Sequence, residues 1–352
     1  MGSDDTIHLG AAQVSEVYLD KEATIEKDCR YIERAADMGV DLLVFPEFHV
    51  PTSPYWYLWD GGRESFTEYY RELFENAVTV PGPAVDEVAR TAAENEIAVV
   101  LGVTEKETGS AGTMYNSQVF IDDDGQVVGH RRKLRPTREE RLFHTGGTGE
   151  DVRTFETAVG TLGGLMCGEH TNPLAVYSTL AMGEAIHAAS WPGIGYYQQD
   201  KRECLINTPS RYHAFAGQVP VVAAAGAISE QLVEDAGLPA EWAGRGGPSS
   251  IISPMGEFLA GPKWEGEGIV HAEVDLGDRT RAKSIHDVVG HYNRFDVFSL
   301  EVDASPRTAI HVTDRSRDPA AFGTPRDGAG REPAEREDSR TQPSTDQDDG
   351  AS

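Results

Sequence analysis

Apolar residues in the first three hundred positions fall into short runs separated by stretches of helical spacing. Residues 7–13 read as a first strand, and 21–38 as an amphipathic helix. Residues 41–46 form a continuous apolar run, as expected of a strand covered on both faces. A helical stretch at 83–95 precedes a third strand at 97–103. Residues 114–121 and 126–130 flank Asp124-Gly125, a hairpin signal. The run 161–166 reads as a short buried strand ending at Cys167. Asn172 is a helix N-cap and Pro173 suits the first helical position. Leu174, Tyr177, Leu180 and Ala181 then recur at helical spacing until Gly183 ends the helix. Further strands are expected at 185–189, 219–226, 249–253 and 268–274. Strands alternating with helices, together with hairpins, predict an α/β domain with helices packed over mixed sheets.

Composition changes this picture at the C-terminal end. From about Asp314 large apolar residues almost vanish, so the folded domain is expected to span 1–303 and to be followed by a mostly disordered acidic tail, 304–352. No apolar run approaches membrane-spanning length, and residues 1–5 lack a signal pattern, so a soluble cytoplasmic protein with no membrane partner is expected. The net charge of −27 argues against nucleic acid as a partner, because its phosphates would be repelled. An acidic, lysine-poor chain is expected of a protein adapted to a high-salt cytoplasm. The lysines are Lys21, Lys27, Lys106, Lys133, Lys201, Lys263 and Lys283. Cys29, Cys167 and Cys204 fit neither a disulfide framework nor a zinc-ligand spacing. No metal site is expected, and Gly244-Arg-Gly-Gly247 lacks the strand-to-helix context of a phosphate loop.

Cys167 stands where a strand turns toward a helix, which suits a reactive thiol facing a cleft and equally a buried structural one. Glu47 follows the strand at 41–46, and Lys133 follows the second hairpin strand. Alone, the first fits a solvated loop acid and the second a basic surface patch with Arg131 and Arg132.

Taken together, Phe45-Pro-Glu47, His130-Arg-Arg-Lys-Leu-Arg-Pro-Thr137 and Gly164-Leu-Met-Cys-Gly-Glu169 resemble the glutamate, lysine and cysteine motifs of the nitrilase superfamily, in that family's order. The likeness continues through Pro54-Tyr-Trp-Tyr57, 183–193 and Asp287-Val-Val-Gly-His-Tyr292, and is nearest to the nitrilase branch. The resemblance implies an αββα sandwich, four-layered αββααββα on dimerisation, and a homodimer or larger homo-oligomer. It also implies a triad of Glu47, Lys133 and Cys167, a second glutamate at Glu140 with Glu139 as the neighbouring alternative, and no cofactor.

The residue types suit the chemistry. A thiolate attacks a nitrile carbon, an ammonium meets the charge that develops on nitrogen, and a carboxylate moves protons. The implied reaction converts a small-molecule nitrile to a carboxylic acid and ammonia. An amidase or N-carbamoyl hydrolase with the same triad is the alternative, and a non-catalytic assembly protein is a third reading. Tyr55, Trp56, His170 and Trp191 are the candidate substrate contacts, although aromatics such as Tyr55 and Trp56 equally suit packing. His170 departs from the asparagine usual in the closest motif, and His187 reads as a core histidine.

Overall fold

The computed structural model describes residues 6–55 and 66–305. Trp56 and the tail from residue 306 lie outside them. Its strands, in chain order, are β1 (Thr6–Gln13), β2 (Leu42–Val44), β3 (Ala98–Lys106), β4 (Met114–Ile121), β5 (Val127–Arg132), β6 (Phe155–Thr157), β7 (Gly160–Met166), β8 (Ile186–Trp191), β9 (Val221–Ala225), β10 (Arg245–Ile252), β11 (Phe258–Glu265) and β12 (Gly268–Asp275). The helices that matter for packing are α1 (Lys21–Asp37), α2 (Phe66–Asn76), α3 (Pro83–Asn95), α4 (Pro173–Ala181) and α5 (Thr208–Gly217).

Two six-stranded mixed sheets result, ordered β12-β1-β2-β3-β4-β5 and β11-β10-β9-β8-β7-β6. Each has a parallel centre, β1-β2-β3 in one and β7-β8-β9 in the other, flanked by antiparallel strands.

The alternation of side chains along each strand builds three apolar layers. Leu9, Leu42 and Val44 meet Leu162, Ile186 and Val222 between the sheets. The opposite face of the first sheet, with Leu43, Phe45 and Val99, packs on Ile25 and Ile32 of α1 and Val85 and Val88 of α3. The outer face of the second sheet, with Ala189, Trp191 and Ala223, packs on Ile206 and Ala214. The architecture is the αββα sandwich. The uninterrupted apolar runs follow directly, because the central strands are covered on both faces.

Two strands depart from the sequence expectation. β11 carries Gly261-Pro262, which reads as a turn. It forms the edge of its sheet, and the pair falls where the register against β10 shifts, between Ser249↔Lys263 and Ile251↔Ala260. β6 has three residues at the other edge, too few to show an alternation. Among the described residues, no helix is long and apolar enough to cross a membrane.

Candidate active site

Each predicted reactive group sits just past the end of a strand, and one end of the sandwich gathers them. Glu47 follows β2 on the turn Phe45-Pro46-Glu47 and is buried. That turn presses so closely on β3 that a Cβ at Gly102 would strike the carbonyl oxygen of Pro46. Lys133 is the residue after β5, and its backbone N–H donates to the Asn116 carbonyl of β4. Its ammonium donates to Glu47 Oε1 at 2.6 Å and to Glu140 Oε2 at 2.8 Å, with no exposure to solvent. Glu140, not Glu139, is therefore the second carboxylate on Lys133. A capping box fixes it, since Glu140 Oε2 also accepts from the Thr137 backbone N–H. Glu139 pairs with Arg138 instead.

Cys167 follows β7 and begins a single 3-10 turn, Cys167–Thr171, that leads into α4. Its φ of 47° is left-handed, a conformation that costs a non-glycine residue about 1–2 kcal/mol. Surrounding bonds hold it there. Glu169 accepts from the Met166 backbone N–H at 2.9 Å, and from both Arg131 guanidinium nitrogens at 2.8 Å. It also accepts from the Leu134 backbone N–H at 2.9 Å. One buried carboxylate thus ties the cysteine turn to the chain on both sides of Lys133. Sequence reading placed Arg131 in a basic surface patch. The informative signal was parity: Arg131 and Lys133, two apart at a strand end, face the same way.

Asn116 is a further residue that the sequence reading missed. Its amide donates to Glu47 Oε1 at 2.6 Å, while Glu47 Oε2 is buried and accepts no bond among the described residues. One oxygen is thus pinned and the other is left able to take a proton. Burial pushes Glu47 up to about 7, against the opposing pull of Lys133. Burial alone would lower Lys133, but Glu47, Cys167 and Glu140 together raise it, so the ammonium stays charged. Burial raises the Cys167 thiol well above its ordinary value and Glu47 adds to this, whereas Lys133 pulls it down. Cys167 therefore rests as a neutral thiol, and Glu47 has an affinity for protons that would suit a base at neutral pH.

A cavity of about 380 Å³ opens over Cys167 and Glu140. Tyr55 and Trp191 line it, as expected, together with Phe48, Tyr196 and Ile194, which sequence reading did not single out. His170 is corrected. It is buried behind the wall, stacked on Trp191 with ring centroids 4.7 Å apart, and is not among the lining residues. His187 is a fully buried core histidine, as read, bonded to Glu184 at 2.9 Å.

The sequence pattern of the carbon-nitrogen hydrolase family matches residues 8–284. The chain belongs to that family. It is 35% identical over 317 residues to an aliphatic nitrilase of Rhodococcus rhodochrous, covering 88% of this chain and 86% of that one. A nitrilase of Paraburkholderia phymatum is 36% identical over 315 residues, covering 88% and 90%. The Caenorhabditis elegans NitFhit protein superposes with a TM-score of 0.68 at 18% identity, covering 88% of this chain and 70% of that one. This carbon-nitrogen hydrolase thus has nitrilases as relatives along most of its length.

Proposed function

We propose that the enzyme hydrolyses an organic nitrile to the carboxylic acid and ammonia, with Cys167 as nucleophile. The observation that carries this reading is the buried hydrogen-bonded set Glu47–Lys133–Glu140, which reaches the cavity through Glu140, with Cys167 in the same lining. As Sγ bonds to the nitrile carbon, the thiol proton passes to Glu47. The nitrile nitrogen gains the electron pair and a proton donated from the Lys133 ammonium, giving a thioimidate. Glu47 passes the thiol proton to Lys133 along their hydrogen bond, which restores the carboxylate and the ammonium. Glu47 then takes a proton from a water that adds to the thioimidate carbon, while Lys133 protonates the nitrogen. The tetrahedral adduct collapses to a thioester as the proton on Glu47 passes to the leaving nitrogen, which departs as ammonia, and the hydroxyl proton returns to Lys133. A second water, activated in the same way, releases the acid and restores the thiol. Two waters are consumed for each nitrile. Glu140 holds Lys133 in place and favours its charge.

The lining of Phe48, Tyr55, Trp191, Ile194 and Tyr196 suits a substrate with an apolar body. A panel of aliphatic, aromatic and arylacetonitrile substrates with ammonia detection tests the reading. Ammonia is expected from nitriles with the parent enzyme and none with Cys167→Ala, while Cys29→Ala and Cys204→Ala keep full turnover. Release from amides or carbamoyl amino acids, with nitriles untouched, would assign the amidase chemistry instead. Absence of turnover on every class would favour the assembly role.

A further inference from the structure

Behind the nucleophile lies a row of buried side chains that the proposed chemistry does not use. His170 Nδ1 is 2.9 Å from the carbonyl oxygen of Cys167, and His170 Nε2 is 3.1 Å from His187 Nε2. His187 Nδ1 is in turn 2.9 Å from Glu184 Oε2, and the other oxygen of Glu184 takes His213 Nε2. All four side chains are fully or almost fully buried. The row runs from the core under β8 to the backbone of Cys167.

A shared metal ion does not fit between the first two rings. Their centroids lie 5.2 Å apart in a T-shaped arrangement, so the Nε2 atoms point almost straight at each other. Two zinc–nitrogen bonds of about 2.0 Å each do not fit on that 3.1 Å line. His187 and His213 stack face to face at 3.5 Å, so their in-plane lone pairs do not converge either. The outer contacts of the row, from Nδ1 of His170 to the Cys167 carbonyl and from Nδ1 of His187 to Glu184, have hydrogen-bond distances, and the inner Nε2–Nε2 contact is a hydrogen bond only with one proton shared between the rings.

We propose that His170 is a positioning residue for the nucleophile, its Nδ1–H holding the Cys167 carbonyl and with it the left-handed backbone that aims Sγ. The proposal rests on Cys167 being the nucleophile. Two imidazoles hold Glu184 below the usual carboxylate range despite its burial, so it accepts from Nδ1–H of His187 and Nε2–H of His213. Two neutral rings then supply both outer bonds of the row, one on Glu184 and one on the Cys167 carbonyl. The gap between the Nε2 atoms is where an added proton would sit. Glu184, anchored through its own carbonyl by Arg279, braces the far end.

The test compares His170→Asn with His170→Phe. An asparagine amide sits at the same δ position as Nδ1 and keeps a donor for the carbonyl, whereas phenylalanine keeps the stack on Trp191 and has no donor. His170→Phe is expected to lower both kcat and the rate of Cys167 alkylation by iodoacetamide about tenfold or more, a loss typical of small misplacements of a reacting group. KM should stay within about twofold. His170→Asn should stay near the parent in kcat and alkylation, even if loss of the stack raises KM. If thermal melting shows His170→Phe to be unfolded, His170→Leu takes its place. Equal loss in the donor and donor-free variants, or no loss in either, overturns the proposal. Alkylation needs no nitrile, so failure here is distinguishable from failure of the nitrilase reading.

Discussion

In the proposed reaction Glu47 sets the sign of the pH response. It acts as a base only when ionised, and burial raises it to about 7. Turnover is therefore expected to climb as pH rises through about 7 and to fall about tenfold per unit well below it. A pH profile of kcat checks this, and a limb centred near 4.5 would mean that the carboxyl is not raised. Lys133 allows equally little substitution. Its ammonium is closed in by Glu47 and Glu140, with the Phe48 ring centroid 5.7 Å away. Lys133→Arg should lower kcat by about a hundredfold or more, because a planar guanidinium places its protons differently. Near-parent turnover would remove Lys133 from the reacting centre. Glu47, Lys133, Cys167 and Glu140 were legible in the sequence because each lies in a short motif. Asn116 was not, since it meets Glu47 across 69 residues of chain and no local pattern marks that contact. His170 was legible as unusual but misplaced, because sequence shows neither which side of Trp191 it occupies nor that its ring turns back to Cys167.

Among the elements, the contact between the end of β5 and the cysteine turn decides whether the site assembles. Arg131 and Glu169 are almost fully buried, and burial is outweighed at Glu169 by Arg131 and two backbone N–H donors, which hold it below its ordinary value. Glu169→Ala leaves the guanidinium buried without its partner, a change that costs about 3–5 kcal/mol. Urea unfolding should show that loss, and kcat should fall even where the protein remains folded. A second test concerns β3. Gly102→Ala places a methyl against the Pro46 carbonyl, a backbone atom that cannot swing aside, so the Glu47 turn must shift. Lower stability and lower kcat are both expected, and parent-like values for both would show that the turn has slack. The strands behind these contacts were mostly visible in the sequence as apolar runs. β11 was hidden because Gly261-Pro262 is a turn signal, and the register shift against β10 that accommodates it is a property of the pairing rather than of the segment.

For the whole molecule the governing quantity is charge. Fifty-eight acidic residues against thirty-one basic ones leave −27. Many of the cations are already committed locally, such as Arg90 between Glu87 and Glu94, or Lys27 on Glu267. Exposed pairs of that kind contribute little, about 0–1 kcal/mol each, so they do not offset the repulsion among the remaining carboxylates. That repulsion acts over a screening length of about 10 Å at 0.1 M salt and about 3 Å at 1 M. It opposes the compact state more than the expanded chain, so the fold should gain stability as salt rises. We therefore expect the urea midpoint to increase from 0.1 to 2 M potassium chloride, a salt chosen because sulfate would strengthen apolar burial by a separate route. The buried ion pairs of the site are screened far less than surface charges, so the acid limb of the pH profile should move less than the midpoint does. A midpoint unchanged between the two salt concentrations would sink the high-salt reading of the acidic surface. It would leave the chemistry at Cys167 untouched, because the groups that act there are shielded from the bulk ions.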